Sequence, residues 1–230
     1  YVIIENGVTS IGSYAFRNHT SLESITIADS VTGIGIGAFK GCSSLVNVRL
    51  SNGLIAIGPN VFWGCSSLAF IALPDSVQSL GSNDFQQRTE IHNLFRDCTS
   101  LSDITVGAGN EVYSSKDGVL FNKAQTTLLY APAGKTGNYS IPDGTKSIDW
   151  HAFYQSQMTG IVIPKSVKSM GWGGGDYYSF EKAASLSDIT VDAENPDYMS
   201  KDGILFNKLG NRLLYCPEGK MGTYHVPDSV

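Results

Sequence analysis

Four cysteines and four histidines could ligate a metal or act as nucleophiles, and their spacing decides what chemistry is open to them. Cys42, Cys65 and Cys98 each stand three residues before a leucine, at Leu45, Leu68 and Leu101. The equivalent slot holds His19 before Leu22 and Ala183 before Leu186, and a slot that accepts alanine does not demand a sulfur ligand. No Cys-x-x-Cys or Cys/His pairing of the zinc type occurs. The expectation is a column of buried free thiols filling space as small apolar groups. A disulfide between neighbouring turns is the alternative, because stacked positions lie close. Cys216 is Ala131 in a sister segment and is read as packing too. The histidines, His19, His92, His151 and His225, are scattered over different phases of the chain. Neither a Gly-x-Ser-x-Gly elbow nor His-Glu-x-x-His is present.

Other candidates fail on the same kind of test. Gly134-Lys135-Thr136 hints at a phosphate loop, but that loop needs a glycine five residues earlier, where Leu129 stands, and the sister copy reads Gly219-Lys220-Met221. Gly171-Trp172-Gly173-Gly174-Gly175 lacks the strand-to-helix setting of a dinucleotide site. It reads as a decoration on one turn, with Trp172, Tyr177 and Tyr178 as candidate anchors or sugar-stacking faces. Asp192, Glu194 and Asp197 could suggest calcium, yet the matching stretch from Gly107 to Val112 keeps one acid and the spacing is not that of an EF-hand. Asn18-His19-Thr20 and Asn138-Tyr139-Ser140 are glycosylation sequons only where the host modifies them. The expectation is therefore no catalytic residue, no metal and no cofactor.

The residues must be positioned by something, and that something is a repeat. Ile11, Ile34, Ile57 and Leu80 lie 23 residues apart, as do Phe16, Phe39 and Phe62, and Leu22, Leu45 and Leu68. The fourth unit is stretched by ten residues before Phe95 and Leu101 restore the phase. A longer period of 85 residues follows: Tyr113 to Lys123, with Asp117-Gly118, returns as Tyr198 to Lys208, with Asp202-Gly203. Leu101 to Val106 returns as Leu186 to Val191 in the same step. Units this short cannot bury a core alone and must stack on their neighbours. Leu-x-x-Ile-x-Ile alternates as a half-buried strand does. Strands are expected near 24–27, 47–50, 70–73, 103–106, 160–163 and 188–191, after a first one at Val2 to Ile4, one strand per unit. The phenylalanines should pile into an inner column. Asp-Gly between apolar runs predicts two inserted hairpins.

The units from Ile34-Gly35 to Leu50 and from Ile57-Gly58 to Leu73-Pro74 resemble the leucine-rich repeats of the BspA-like family, and its hairpins resemble Asp-Gly-(Val/Ile)-Leu-Phe-Asn-Lys here. The resemblance covers nearly the whole chain. It implies a mainly β solenoid, a right-handed leucine-rich repeat stack of 23-residue units with a parallel sheet and two inserted β-hairpins. It further implies a cell-surface or secreted protein of a host-associated microbe, adhering to host or microbial proteins. The departures are the unit at Lys182-Ala183-Ala184, which lacks cysteine, and enlarged linkers at 86–93 and 171–179.

Composition sets the remaining limits. A net charge of −5 leaves no basic footprint for nucleic acid. Hydrophobic residues at 42% and charged residues at 16% describe a globular chain, and no apolar run reaches membrane-span length. Residues 1–230 read as one leucine-rich repeat domain, with short repeats over 1–106 and longer, hairpin-bearing ones over 107–230. The opening Tyr1-Val2-Ile3-Ile4 and closing Val226-Pro227-Asp228 both read as parts of repeats, which suggests a fragment of a longer array. The expected role is a binding module for a protein or glycan, with a structural spacer as the alternative. Outward strand positions are then the candidate contacts: Asn47, Arg49, Phe70, Asp103 and Thr105, against the rival loop of Trp172, Tyr177 and Tyr178. Gly160 and Val162 are expected outward as well.

Overall fold

The computed structural model describes residues 1–81, 91–171 and 179–224. It divides into two compact units, Tyr1–Ala124 with Pro132–Gly134, and Gln125–Ala131 with Lys135–Val230.

In the first unit the first four turns each contribute a longer strand, then a bridge of two residues. The strands are β1 (Val2–Ile4), β2 (Ser10–Ile11), β3 (Ser24–Ile27), β4 (Gly33–Ile34), β5 (Asn47–Arg49), β6 (Ala56–Ile57), β7 (Phe70–Leu73) and β8 (Ser79–Leu80). A helical turn, α1 (Ile91–Leu94), then leads to β9 (Asp103–Val106) and the hairpin of β10 (Tyr113–Lys116) and β11 (Val119–Asn122). The long strands pair in parallel at the repeat spacing, Ile25 with Val2 and Val48, and Ile71 with Ile104. The expectation of one strand per unit is corrected here: β2, β4, β6 and β8 form a second parallel ladder, Ile11–Ile34–Ile57–Leu80. Each repeat therefore spends its backbone hydrogen bonds on two walls of the stack.

The space between the walls is filled from the side chains that recur. Phe16, Phe39, Phe62 and Phe95 stack with centroids 5.3, 5.9 and 6.0 Å apart and planes within 12° of parallel. The ten-residue stretch does not interrupt the column, because Phe62 N donates to Leu94 O at 3.1 Å and Gly64 N to Arg96 O at 2.8 Å. Beside the column, Cys42 Sγ donates to Phe16 O at 3.0 Å, Cys65 to Phe39 O at 3.2 Å and Cys98 to Phe62 O at 3.0 Å. The three thiols are free and buried; Cys216 is free and exposed. Burial pushes the Cys42, Cys65 and Cys98 thiols above their ordinary range. One backbone position explains the glycine before each Cys-Ser: Asn18, Gly41, Gly64 and Asp97 all turn through positive φ, at 60°, 77°, 77° and 60°.

The second unit contains β12 (Thr127–Tyr130), β13 (Thr136–Ser140), β14 (Ser147–Ile148), β15 (Gln157–Ile163), β16 (Ser169–Met170), β17 (Asp188–Val191), β18 (Tyr198–Lys201), β19 (Ile204–Asn207) and β20 (Leu213–Tyr215). β13, β15 and β17 form a parallel sheet, Tyr139–Ile161–Ile189. Strand β13 is not among the strands expected from the repeat. Gly160, expected to face outward, is buried, and the Asn138 side chain lies where its Cβ would be. Here the aromatic column runs Phe153, Phe180, Tyr215, at 5.5 and 5.2 Å.

Each unit closes its long-strand sheet with a hairpin. Asp117 and Gly118 have φ of 51° and 75°, and Asp202 and Gly203 of 50° and 76°, as a tight hairpin turn with both central residues left-handed requires. The turn then lies on the last long strand: Ile104 N donates to Gly118 O, and Ile189 N to Gly203 O, each at 3.0 Å. A buried asparagine anchors each hairpin's base. Asn110 Nδ2 donates to Pro74 O and Val77 O, while its Oδ1 accepts from Val112 N and Tyr113 N. Asn195 repeats this with Pro164 O, Val167 O, Asp197 N and Tyr198 N.

Candidate binding face

Five of the candidate contacts lie on one surface of the first unit. Alternation within a strand points Asn47 and Arg49 outward and buries Leu50 behind them. On β7 it exposes Phe70 and Ala72 and buries Ile71 and Leu73; on β9 it exposes Asp103 and Thr105 and buries Ile104. Register then aligns them in rows across the strands. Ile3, Thr26 and Arg49 form one row, and Ser24 and Asn47 the next. Phe70 faces Asp103, and Ala72 faces Thr105. Successive strands in such a ladder are about 4.8 Å apart. Phe70 is 48% exposed, a large apolar side chain with no core to fill.

The ladder that joins β3 to β5 and β7 to β9 does not run between β5 and β7. Arg49 lines three clefts, two of them at this break and one on the side of β1 and β3. One of about 610 Å³ is bounded by Ile3, Glu5, Thr26, Asp29 and Arg49. One of about 340 Å³ is bounded by Val46, Asn47, Arg49, Ala69 and Phe70. The third, of about 320 Å³, is bounded by Arg49, Asn52, Ala72 and Pro74. Among the described residues no hydrogen bond or ion pair reaches the Arg49 guanidinium. Asp29 shares its cleft but is engaged elsewhere, accepting from Asn52 N at 2.9 Å and Asn52 Nδ2 at 3.3 Å. Those hydrogen bonds, the backbone one first, hold its carboxyl below the usual range, and the charge of Arg49 adds a smaller pull.

Asp103 sits differently from the other four. Its carboxylate lies against Gly118 of the hairpin turn, so that a Cβ on that glycine would meet it. Asp188 and Gly203 repeat the arrangement. Asp103 therefore marks the margin of the face, where the hairpin begins. Trp172, Tyr177 and Tyr178 lie outside the described residues.

A second surface column had no signal in the sequence. Lys40 Nζ lies 3.4 Å from the Trp63 ring centroid and the Arg96 guanidinium lies 4.7 Å from it. One cation comes from the turn before and one from the turn after, and Trp63 Nε1 donates to Asp97 at 2.9 Å. The indole is thus enclosed by the protein's own cations and is not an open stacking platform. Among the described residues no three of His, Cys, Asp and Glu are gathered as metal ligands would be, and no helix is long and apolar enough to cross a membrane.

Comparison with known proteins agrees with this geometry. The model of the BspA type leucine-rich repeat region matches in six copies over residues 1–108 and 129–202. The structure is similar to that of the pneumococcal vaccine antigen PcpA, at 31% identity and a TM-score of 0.66, over 80% of this chain and 43% of that one. It is also similar to a leucine-rich cell surface protein from Faecalibacterium prausnitzii, at 27% identity and a TM-score of 0.51, over 81% of this chain and 59% of that one. A leucine-rich repeat protein from Eubacterium ventriosum shares the fold, at 22% identity and a TM-score of 0.54, over 84% of this chain and 60% of that one. The chain thus spans less than two thirds of each of these proteins. No curated protein matches it.

Proposed function

The chain belongs to the BspA-type leucine-rich repeat family, and on that premise we propose that it is a non-catalytic binding module, cell-surface or secreted, that grips a protein partner with the outward face of its long strands. The observation that carries this is Phe70, 48% exposed and lining one cleft with Arg49. Binding energy concentrates in a few aromatic and arginine anchors, and side chains presented from stacked strands are ordered at little entropic cost. The vaccine-antigen and cell-surface descriptions of two similar structures support a surface location. The mixed, weakly charged rows around Phe70 suit a protein and do not suit nucleic acid. A sugar site at Trp172, Tyr177 and Tyr178 is the glycan alternative.

The test is to immobilise the chain and pass over it a panel of extracellular matrix proteins and microbial surface proteins. Saturable binding that Phe70→Ala weakens about fivefold or more supports the reading. Failure of the whole panel would favour a spacer. Binding that ignores Phe70→Ala while Trp172→Ala removes it would move the site to the loop.

A further inference from the structure

The face just described contains an unsatisfied charge, and its surroundings restrict what could answer it. Arg49 projects between the clefts, exposed and without a hydrogen-bond or ion-pair partner among the described residues. A guanidinium presents a planar fork that matches a carboxylate in two parallel hydrogen bonds. Apolar side chains flank it on both sides. Ile3 is 60% exposed in the same row as Arg49, and Val46 (45%) and Phe70 (48%) line the cleft on the other side. Two of the three are aliphatic and offer no ring for a sugar to stack on. Glu5 and Asp29 border the cleft of about 610 Å³, and Asp103 stands at the margin of the face. Glu5 and Asp29 beside one arginine disfavour a dense polyanion, such as a sulfated glycan or nucleic acid, while the guanidinium still answers a single negative group.

We propose that the cleft at Arg49 takes one carboxylate side chain of an extended polypeptide, seated with apolar side chains on either side, against Ile3 and against Val46 and Phe70. This rests on the strand face being a protein-binding surface and adds the chemistry of what it recognises. Asn47, which lines the cleft with Phe70, would hydrogen-bond the backbone of the bound segment.

The test is a selection of random linear peptides displayed on phage against the wild-type chain, with Arg49→Gln selected in parallel. The expected result is enrichment of Asp or Glu between apolar residues on the wild type and loss of that enrichment on Arg49→Gln. A double-mutant cycle on the best peptide then isolates the contact. Arg49→Gln alone and the peptide's acid-to-amide change alone should each weaken binding about tenfold or more, and the two together no further. Arg49→Lys, which keeps the charge and loses the fork, should fall between. Additive effects, or a selected pool without acidic residues, would overturn the proposal. If peptides still bind and Ala72→Arg abolishes them, the strand face remains a binding surface and only the carboxylate inference falls. If no peptide is retained by either protein, both fall.

Discussion

Asn110 Nδ2 donates to the carbonyl oxygen of Val77 at 2.8 Å, joining residues 33 apart in sequence inside a buried site. The same side chain satisfies Pro74 O, Val112 N and Tyr113 N, so one amide closes the base of the hairpin that ends the first unit's sheet. Asn110→Ala strands these backbone groups, and leaving a buried group unsatisfied costs about 1–3 kcal/mol. We expect a loss of about 3 kcal/mol or more in urea denaturation, and a similar loss for Asn195→Ala. A loss under about 1 kcal/mol in both would show that water replaces the amide.

The aromatic column predicts a contrast within one turn. Phe39 is fully buried between Phe16 and Phe62, so Phe39→Ala should cost about 3–5 kcal/mol. Ser43, half-buried and four residues on, should tolerate alanine within about 0.5 kcal/mol. Equal losses in chemical denaturation would contradict the packing described.

The thiols should separate three to one. Cys42, Cys65 and Cys98 are fully buried, donate to carbonyl oxygens and are held protonated by burial, whereas Cys216 is exposed. The thiolate is the reactive form, so a raised pKa slows reaction at neutral and mildly alkaline pH. In the native protein a thiol reagent should label Cys216 quickly and the other three only on unfolding. Rapid labelling of all four, or a disulfide found by mass spectrometry, would contradict this.

The enclosed indole makes a smaller prediction. Two cation–π contacts at a partly exposed site contribute about 0.5–1 kcal/mol each. Trp63→Ala should therefore cost about 1–2 kcal/mol or slightly more, and Lys40→Gln less than about 1 kcal/mol. Comparison of denaturation midpoints checks both, and an unchanged midpoint in Trp63→Ala would mean that the column contributes nothing to stability.

The long strands and the hairpin turns were legible in the sequence because each leaves a periodic mark. Ile25 and Ile27 alternate with Ser24 and Thr26 along β3, and Asp117-Gly118 is a turn with a known backbone requirement. The second ladder was not legible. Two-residue bridges such as Ser10–Ile11 are too short to alternate, and only their stacking at the repeat spacing creates a wall. The buried asparagines look like loop residues. Their one signal was that Asn110 and Asn195 persist over the 85-residue period while Gly109 becomes Glu194 beside them. The outward positions Asn47, Arg49, Phe70 and Thr105 could be read from alternation alone. The two smaller clefts could not, because they lie where the ladder between β5 and β7 is missing, a matter of strand geometry and not of residue type. The Lys40–Trp63–Arg96 column was hidden because its members share a repeat slot but not a residue type.

The central claim is that the long-strand face of the first unit holds the partner. The most direct measurement is the affinity of a captured protein partner for two sets of single arginine substitutions. Thr26→Arg, Ala72→Arg and Thr105→Arg place bulk and charge on that face, and Ser43→Arg and Ser66→Arg place them on the connecting turns. We predict that each face substitution weakens binding about tenfold or more and that the turn substitutions leave it within about twofold. Loss of binding on the turn set with the face set unaffected would contradict the account.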